Sequence, residues 1–257
     1  MHAVAMRPRK RFGQNFLIDD GVVDKIVACI AVRNSDRVLE VGPGNGVLTD
    51  ALVAKAGRFK AVEIDRDLVV LLKARFGGID IVQQDILRTE LGGCFDGERF
   101  RVVGNLPFNI ATELLARLFP LRQEIVDMHF MLQAEVVDRL TALPGSKAWG
   151  RLSVMAQYHC RIEKLFSVDR ESFSPAPKVT SAFAKLVPVV PANGVVSMDR
   201  FREVTRVAFS ARRKKLENAV KSLELDWSQL PIDVGARPED IDVAGYVAMA
   251  NQLAGKP

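Results

Sequence analysis

The chain of 257 residues is 48% hydrophobic and 26% charged, a composition typical of a folded globular protein and not of a disordered one. Its formal net charge of +5 is concentrated in two segments. The first holds Arg7, Arg9, Lys10 and Arg11, and the second, residues 199–221, has eight basic against three acidic side chains. Because the rest of the chain is mildly acidic, this distribution favours a polyanionic partner.

The three cysteines, Cys29, Cys94 and Cys160, are far apart and form no CxxC pair, which argues against a disulfide framework. No histidine has the spacing of a metal ligand, so we expect no metal. The sequence shows no secretion signal, and the uncharged run 186–198 is short and interrupted by prolines. We therefore expect a cytoplasmic protein without a membrane segment.

Helical and strand patterns alternate along the first three quarters of the chain. A helix is predicted over 22–30, with Asp19 and Asp20 as candidate caps. Buried strands are then predicted over 38–41, 59–62, 80–83, 100–103 and 126–132, with helices over 47–55, 66–76, 110–119, 134–140 and 151–159. This order predicts an α/β fold, a doubly wound and mostly parallel sheet of the Rossmann-like, class I methyltransferase type.

The pattern changes after this alternating region. Two strands over 161–168 and 180–187 predict an antiparallel hairpin at the sheet edge. Helices are predicted over 199–210, 212–223 and 243–253, and Arg237-Pro238-Glu239-Asp240 is a helix-start signal. We therefore predict a catalytic domain over 1–187, a proline-containing linker over 188–198 and a small helical domain over 199–257.

Three glycines, Gly42, Gly44 and Gly46, follow the first predicted strand and precede a helix. A doubly wound sheet binds nucleotides at this place. The pattern is GxGxG, and the position of the third glycine in the dinucleotide fingerprint is occupied by Val47. Since no P-loop lysine follows either, the loop favours a nucleoside ligand without phosphate.

Acidic residues follow the neighbouring strands at the same sheet edge. Glu63 comes 21 positions after Gly42, where a carboxylate commonly binds ribose hydroxyls. Asp85 can accept a hydrogen bond from an adenine amine. Glu40 lies inside a buried strand, which a charge would normally avoid unless it orients the loop or faces a cation. An adenosine that carries a cationic amino acid group would give each of these three carboxylates a partner. S-adenosylmethionine is therefore the predicted cofactor.

The segment Asn105-Leu106-Pro107-Phe108 follows another strand at this edge. An adenine amine is a weak nucleophile because its lone pair is delocalised into the ring. The Asn105 side-chain carbonyl and the Leu106 backbone carbonyl, held by Pro107, could accept hydrogen bonds from that amine. Phe108 could stack on a base removed from its helix. We therefore predict methyl transfer in which the enzyme acts mainly by aligning the amine with the methyl donor, without a strong base.

Eight motifs occur in the order of a known family. They lie at 11–17, 40–46, 63–65, 84–85, 105–110, 130–133, 173–179 and 212–214. The chain closely resembles the kasugamycin-resistance dimethyladenosine transferases over essentially its full length. This family most often has tyrosine where Phe108 stands, so the ring is kept and a hydroxyl is lost. Ala134 likewise replaces a lysine that often follows Gln133 in the family.

The resemblance implies N6,N6-dimethylation of two adjacent adenosines near the 3′ end of small-subunit ribosomal RNA, in an immature subunit, by a monomeric enzyme. It implies catalytic roles for Asn105, Leu106, Pro107 and Phe108. The implied cofactor contacts, together with those argued above, are Asn15, Leu17, Glu40, Gly42, Gly44, Glu63, Asp85 and Asn105. Phe173, Pro175 and Pro177 would border the target pocket.

The basic run Arg212-Arg213-Lys214-Lys215 is predicted to open a helix and to bind RNA phosphates. Two alternatives stay open. One is a large-subunit ribosomal RNA methyltransferase of the macrolide-resistance type. The other is an assembly factor that keeps the fold without the activity, although such a protein would need none of Glu63, Asp85 and Asn105.

Overall fold

The computed structural model describes residues 13–107, 109–191 and 194–255. The chain forms two compact units. The first comprises the described residues up to Val137 together with Glu163–Pro188, and the second comprises Asp138–Ile162 and the described residues from Val189 onward.

The second unit differs from the predicted division because it includes residues 138–162, which we had predicted within the catalytic domain. The reason is packing: Trp149, Val154 and Tyr158 are buried in one hydrophobic core with Phe201 and Tyr246. The break after Pro188 coincides with the start of the predicted linker.

Nine strands are found in the described part of the chain. They are β1 Phe16–Leu17, β2 Arg37–Val41, β3 Arg58–Glu63, β4 Asp80–Gln83, β5 Phe100–Asn105, β6 Ile125–Gln133, β7 Cys160–Val168, β8 Phe173–Ser174 and β9 Ser181–Pro188. Seven of them form one sheet in the order β4-β3-β2-β5-β6-β9-β7, and β1 and β8 form a separate antiparallel pair.

The first five strands of the large sheet are parallel, and β9 runs antiparallel to β6 with β7 beside it at the edge. Buried apolar side chains of β2 and β5, such as Val38, Val41 and Val103, explain why these strands occupy the centre of the sheet. The predicted fold class is confirmed, including the change to antiparallel pairing.

The helices in the described ranges follow the predicted order. They are α1 Asp20–Ile30, α2 Val47–Val53, α3 Arg66–Arg75, α4 Ala111–Leu118, α5 Ala134–Leu140, α6 Arg151–His159, α7 Met198–Ser210, α8 Leu216–Ala219 and α9 Val243–Ala254. Asp19 caps α1, as predicted, by accepting from the Val22 backbone N–H at 3.1 Å. No helix of the described ranges combines the length and apolar character needed to cross a membrane.

Two helix predictions in the second unit are wrong. The predicted helix over 212–223 is a turn followed by the four-residue α8 and a 3-10 turn, because the Leu216 N–H bonds to the Ala236 carbonyl at 2.8 Å. The basic run therefore lies in a turn and does not open a helix. The signal at 237–240 marks only a 3-10 turn, and α9 begins later with Asp242 as its cap.

Candidate active site

The glycine loop leaves β2 at the carboxyl edge of the sheet and enters α2. Gly42 and Gly44 have φ angles of 63° and 60°, a left-handed conformation that glycine adopts without strain. A Cβ atom on Gly42 would meet nothing within 4 Å, whereas one on Gly44 would lie 3.2 Å from the Phe16 ring. The loop is thus open at Gly42 and closely covered at Gly44.

Two carboxylates lie beside this loop and line the same cavity. Glu63 accepts hydrogen bonds from the Gly44 N–H at 3.2 Å and from the Asp65 N–H at 2.9 Å. Glu40 accepts one from the Thr49 hydroxyl at 2.7 Å. Both glutamates are almost completely buried. The predicted acids of β2 and β3 are therefore brought together.

Burial raises the pKa of Glu40 to about 7, against the opposing effect of the Thr49 hydrogen bond. Burial also raises the pKa of Glu63, opposed by the hydrogen bonds from Asp65 and Gly44. Among the described residues neither carboxylate has a lysine or arginine partner. Two buried carboxylates that face a cavity without a cation favour a ligand that carries positive charge and hydroxyl donors.

Asp85 lies at the same edge, just after β4, and is half-buried. Its carboxylate accepts from the Leu87 N–H at 2.9 Å, and its second oxygen lies 4.0 Å from Nε of Arg88. Ile64 and Ile86 line the cavity beside these acids. The edges of β3 and β4 therefore offer both polar and apolar walls, as a nucleoside requires.

Residues 13–17, which we call the amino-terminal strap, form one wall of the cavity. Phe16 and Leu17 pair with Ser174 and Phe173 through β1 and β8. The Gln14 side chain donates to the Asp65 carboxylate at 3.0 Å, which ties the strap to the edge of β3. Asn15 and Leu17, both predicted cofactor contacts, line the cavity from this strap.

Asn105 is the last residue of β5 and faces the strap. Its Nδ2 donates to the Asn15 backbone carbonyl at 3.0 Å, which fixes the orientation of the amide. Within the described ranges Oδ1 receives no hydrogen bond and is available as an acceptor. Leu106 and Pro107 line the same cavity, and Phe108 lies outside the described residues.

The predicted target-pocket residues are only partly brought together. Phe173 and Pro177 line the cavity, whereas Pro175 is not among its lining residues. Asn109 and Ser181 line it as well, although the sequence had not singled them out. The sequence signal for them was their position, since Asn109 lies inside the motif 105–110 and Ser181 lies just after the motif 173–179.

The cavity has a volume of about 330 Å³, within the usual range for small-ligand pockets. Its lining includes the open glycine loop, apolar walls, and two buried carboxylates that pair with no lysine or arginine of the described ranges. These residues fit S-adenosylmethionine, which has a cationic amino acid group, a ribose and an adenine. No phosphate-binding feature is needed for that ligand.

The basic run lies in the second unit. The Arg212 guanidinium pairs with the Glu239 carboxylate and donates to the Lys147 carbonyl at 2.8 Å. Arg213, Lys214 and Lys215 are exposed, and in the described residues they form no ion pair. The first member of the run is thus engaged within its own unit, whereas the other three present free charges.

A doubly wound sheet with an open glycine loop and acids at its strand ends is the arrangement of an S-adenosylmethionine-dependent methyltransferase. The sequence model described as ribosomal RNA adenine dimethylase matches residues 5–254. The chain belongs to this family, and S-adenosylmethionine is its methyl donor.

Several relatives support this assignment. The chain is 49% identical to the ribosomal RNA small subunit methyltransferase A of Methylococcus capsulatus, over 96% of this chain and 98% of that protein. It is 46% identical to the protein of the same name from Pseudomonas aeruginosa, over 98% of this chain and 96% of that protein. In each case the matched part of this chain includes residues of both units.

Solved structures agree on the fold. A dimethyladenosine transferase from Plasmodium falciparum superposes with a TM-score of 0.77 at 24% identity, covering 91% of this chain and 95% of the other. The 23S rRNA methyltransferase ErmE superposes with a TM-score of 0.73 at 25% identity, covering 93% and 100%.

Glu40 should make the protein less stable as the pH rises. Its folded pKa of about 7 exceeds the ordinary value of 4.5, so the folded state binds more protons between these values. The resulting decrease in the free energy of unfolding is absent below about pH 4.5 and complete above about pH 7, where it reaches about 3 kcal/mol. Glu40→Gln should therefore raise the free energy of unfolding at pH 8, as measured by urea denaturation without cofactor.

The matched control is Glu113→Gln, which removes an exposed carboxylate from α4. Its unfolding free energy should follow that of the wild type at every pH. Parallel pH profiles for Glu40→Gln and the wild type would contradict the assignment of a raised pKa to Glu40.

Proposed function

We propose that this enzyme dimethylates N6 of two adjacent adenosines in a hairpin loop near the 3′ end of small-subunit ribosomal RNA, while the subunit is still immature. The relatives of 46% and 49% identity are named for the small subunit, which supports this target. The observation that carries the chemistry is the Asn105 amide. Its Nδ2 is bound to Asn15, and its Oδ1 is left as an acceptor at the cavity.

The adenine amine must be made more nucleophilic before it can react. A hydrogen bond from the amine to Asn105 Oδ1, with a second to the Leu106 carbonyl, favours a pyramidal nitrogen whose lone pair is less delocalised. Because the Asn15 carbonyl holds the amide in place, the acceptor is preorganised and little reorganisation is needed during the reaction.

Glu40, Glu63, Asp85 and the amino-terminal strap would hold the cofactor. When bound, S-adenosylmethionine supplies a methyl group on a sulfonium, which is already activated for transfer. The residues of the chain then need only orient the amine, since the nitrogen loses its proton readily to water once it is alkylated. Phe173 and Pro177 would cover the base, and Phe108 would stack on it.

The first unit would carry catalysis, and the second would contact RNA. The enzyme would act as a monomer in the cytoplasm. This division agrees with the location of every cavity-lining residue in the first unit and of the basic turn in the second.

The function is tested by the methylation of ribosomal RNA in cells that lack this protein. We expect the small-subunit RNA of these cells to lack two adjacent dimethyladenosines by mass measurement, and the gene supplied in trans to restore them. Full methylation without the protein would contradict the proposal. The structural likeness to ErmE makes the large subunit the second candidate, and methyl loss confined to large-subunit RNA would establish it.

Replacing Arg213, Lys214 and Lys215 together with alanine should weaken binding to immature small subunits. Each exposed charge that contacts a phosphate contributes about 0.7–0.9 to the slope of log affinity against log salt. We therefore expect the slope to fall by about 2 in the triple variant. The measurement is filter binding across a salt series.

Arg212→Ala is the matched control, because the Arg212 side chain is bound to Glu239 and the Lys147 carbonyl. This variant should lower the melting temperature and leave the salt slope unchanged. A triple variant with the wild-type slope would exclude the exposed turn from RNA binding.

A further inference from the structure

The Gln14 side chain connects the amino-terminal strap to the loop that follows β3. Its Nε2 donates to the Asp65 carboxylate at 3.0 Å, and Asp65 is only 3% exposed. The other carboxylate oxygen of Asp65 accepts from the Asp67 N–H at 3.1 Å and so caps α3. Because Asp65 is buried and held by the start of a helix, it is a firm anchor for the strap.

From this anchor, contacts lead to the cofactor half of the site. The Asp65 N–H donates to Glu63 at 2.9 Å, and the other Glu63 oxygen accepts from the Gly44 N–H at 3.2 Å. The Phe16 ring, which would lie 3.2 Å from a Cβ atom on Gly44, covers that glycine from the strap. Gln14, Asp65, Glu63, Gly44 and Phe16 therefore form a closed ring of contacts around the cofactor edge.

The next residue of the strap leads to the half of the site assigned to the target base. The Asn15 carbonyl accepts from the Asn105 side-chain amide at 3.0 Å. Asn105 ends β5, and β5 and β3 lie on opposite sides of β2 in the sheet. The strap thus spans the carboxyl edge of three strands, with its anchor at β3 and its contact with Asn105 at β5.

We propose that Gln14 is a positioning residue that couples the cofactor half of the site to the base half. Its bond to Asp65 holds Phe16 over the glycine loop and, one residue along, holds the Asn15 carbonyl against the Asn105 amide. Release of this bond loosens both halves at once. The inference rests on the proposed function where it concerns the target base, whereas its cofactor part rests on the methyl donor of the family.

The test exchanges the donor and the acceptor of this bond. Gln14→Glu keeps the size of the side chain, removes the donor and sets a second carboxylate against Asp65. Asp65→Asn replaces one acceptor oxygen by an NH2 donor and keeps the other oxygen for the Asp67 N–H. The double variant therefore forms the bond in the opposite direction. Gln14→Glu should be damaging in the wild-type background and much less so in the Asp65→Asn background.

Three quantities are compared across the four proteins of this cycle. In the wild-type background, Gln14→Glu should raise the dissociation constant of S-adenosylmethionine about 10-fold by isothermal titration. It should lower the single-turnover rate on immature small subunits at saturating cofactor about 10- to 100-fold, because Asn105 loses its fixed orientation. The NMR signal of the Asn105 side-chain amide, identified by its absence in Asn105→Ala, should show faster exchange with water.

In the Asp65→Asn background, each of these three effects of Gln14→Glu should shrink to about twofold or less. Gln14→Ala, which can form the bond with neither aspartate nor asparagine, should remain impaired in both backgrounds. This contrast separates a re-formed hydrogen bond from a general tolerance of substitutions at this position.

The matched control is Gln157→Glu in the second unit. The Gln157 amide donates to the Leu140 and Ala142 carbonyls at 2.9 and 2.8 Å, so its loss should lower the melting temperature. Cofactor affinity, the rate at saturating cofactor and the exchange of the Asn105 amide should stay at their wild-type values. If Gln14→Glu behaves in the same way, Gln14 has only a structural role and the proposal is overturned.

Two other outcomes would also overturn it. One is an equal effect of Gln14→Glu in the two backgrounds, since the bond to Asp65 would then carry no coupling. The other is a weakened cofactor affinity with unaltered exchange of the Asn105 amide, because Gln14 would then act on the cofactor half alone. If the wild type does not methylate immature small subunits, the proposed function fails, whereas titration and amide exchange still decide the role of Gln14.

Discussion

Alanine in place of Asn105 should lower the single-turnover rate of methyl transfer by about 10²- to 10³-fold. The substitution removes the oxygen that would accept from the adenine amine, and it removes the Nδ2 bond to the Asn15 carbonyl. Affinity for immature small subunits should be retained, because the exposed basic turn lies in the other unit. Methyl incorporation tests the lowered rate, and particle binding measured on the same preparation tests the retained affinity.

Asn34→Ala provides the matched control, since it removes an exposed amide just before β2, at the opposite edge of the sheet. Its rate should equal that of the wild type. An Asn105→Ala protein as active as the wild type would refute the catalytic role. If neither protein methylates the RNA, the result would favour a non-catalytic assembly factor.

The second large effect is expected at Glu63. Glu63→Ala should weaken binding of S-adenosylmethionine by about 10²-fold, since hydrogen bonds to a charged acceptor contribute about 1.5–3 kcal/mol each. The substitution also leaves the N–H groups of Gly44 and Asp65 without their acceptor. Isothermal titration with the cofactor gives the dissociation constant directly.

Two further variants sharpen this experiment. Glu63→Gln keeps one acceptor oxygen and should bind the cofactor with intermediate affinity. Asp80→Ala removes an exposed carboxylate of the neighbouring β4, which pairs with Lys60, and should bind as tightly as the wild type. Equal affinities for Glu63→Ala and Asp80→Ala would exclude a direct cofactor contact at Glu63.

Features with a local signature could be predicted from the sequence. The sheet strands appear as short apolar runs, and the glycine loop with its acids occupies fixed positions after them. Because the carboxyl ends of parallel strands meet at one edge, Glu40, Glu63 and Asn105 could be placed near one another before any contact was known. All three line the cavity.

Features that depend on distant partners could not be predicted. Residues 138–162 have an ordinary helical pattern, and only their packing with Phe201 and Tyr246 assigns them to the second unit. The helix expected at Arg212 is replaced by a turn because Leu216 bonds to Ala236 and Arg212 to Glu239. The orientation of the Asn105 amide likewise depends on Asn15, 90 positions away.

The pairing of β1 with β8 has a consequence for synthesis of the chain. The strap and its partner strand are linked again by Ser172 and Asp19, which are separated by 153 positions. Closing so long a loop is entropically costly and slow compared with local contacts. A nascent chain therefore cannot complete this cavity wall until β8 has left the ribosome, and the enzyme acquires its cofactor pocket late in its own translation.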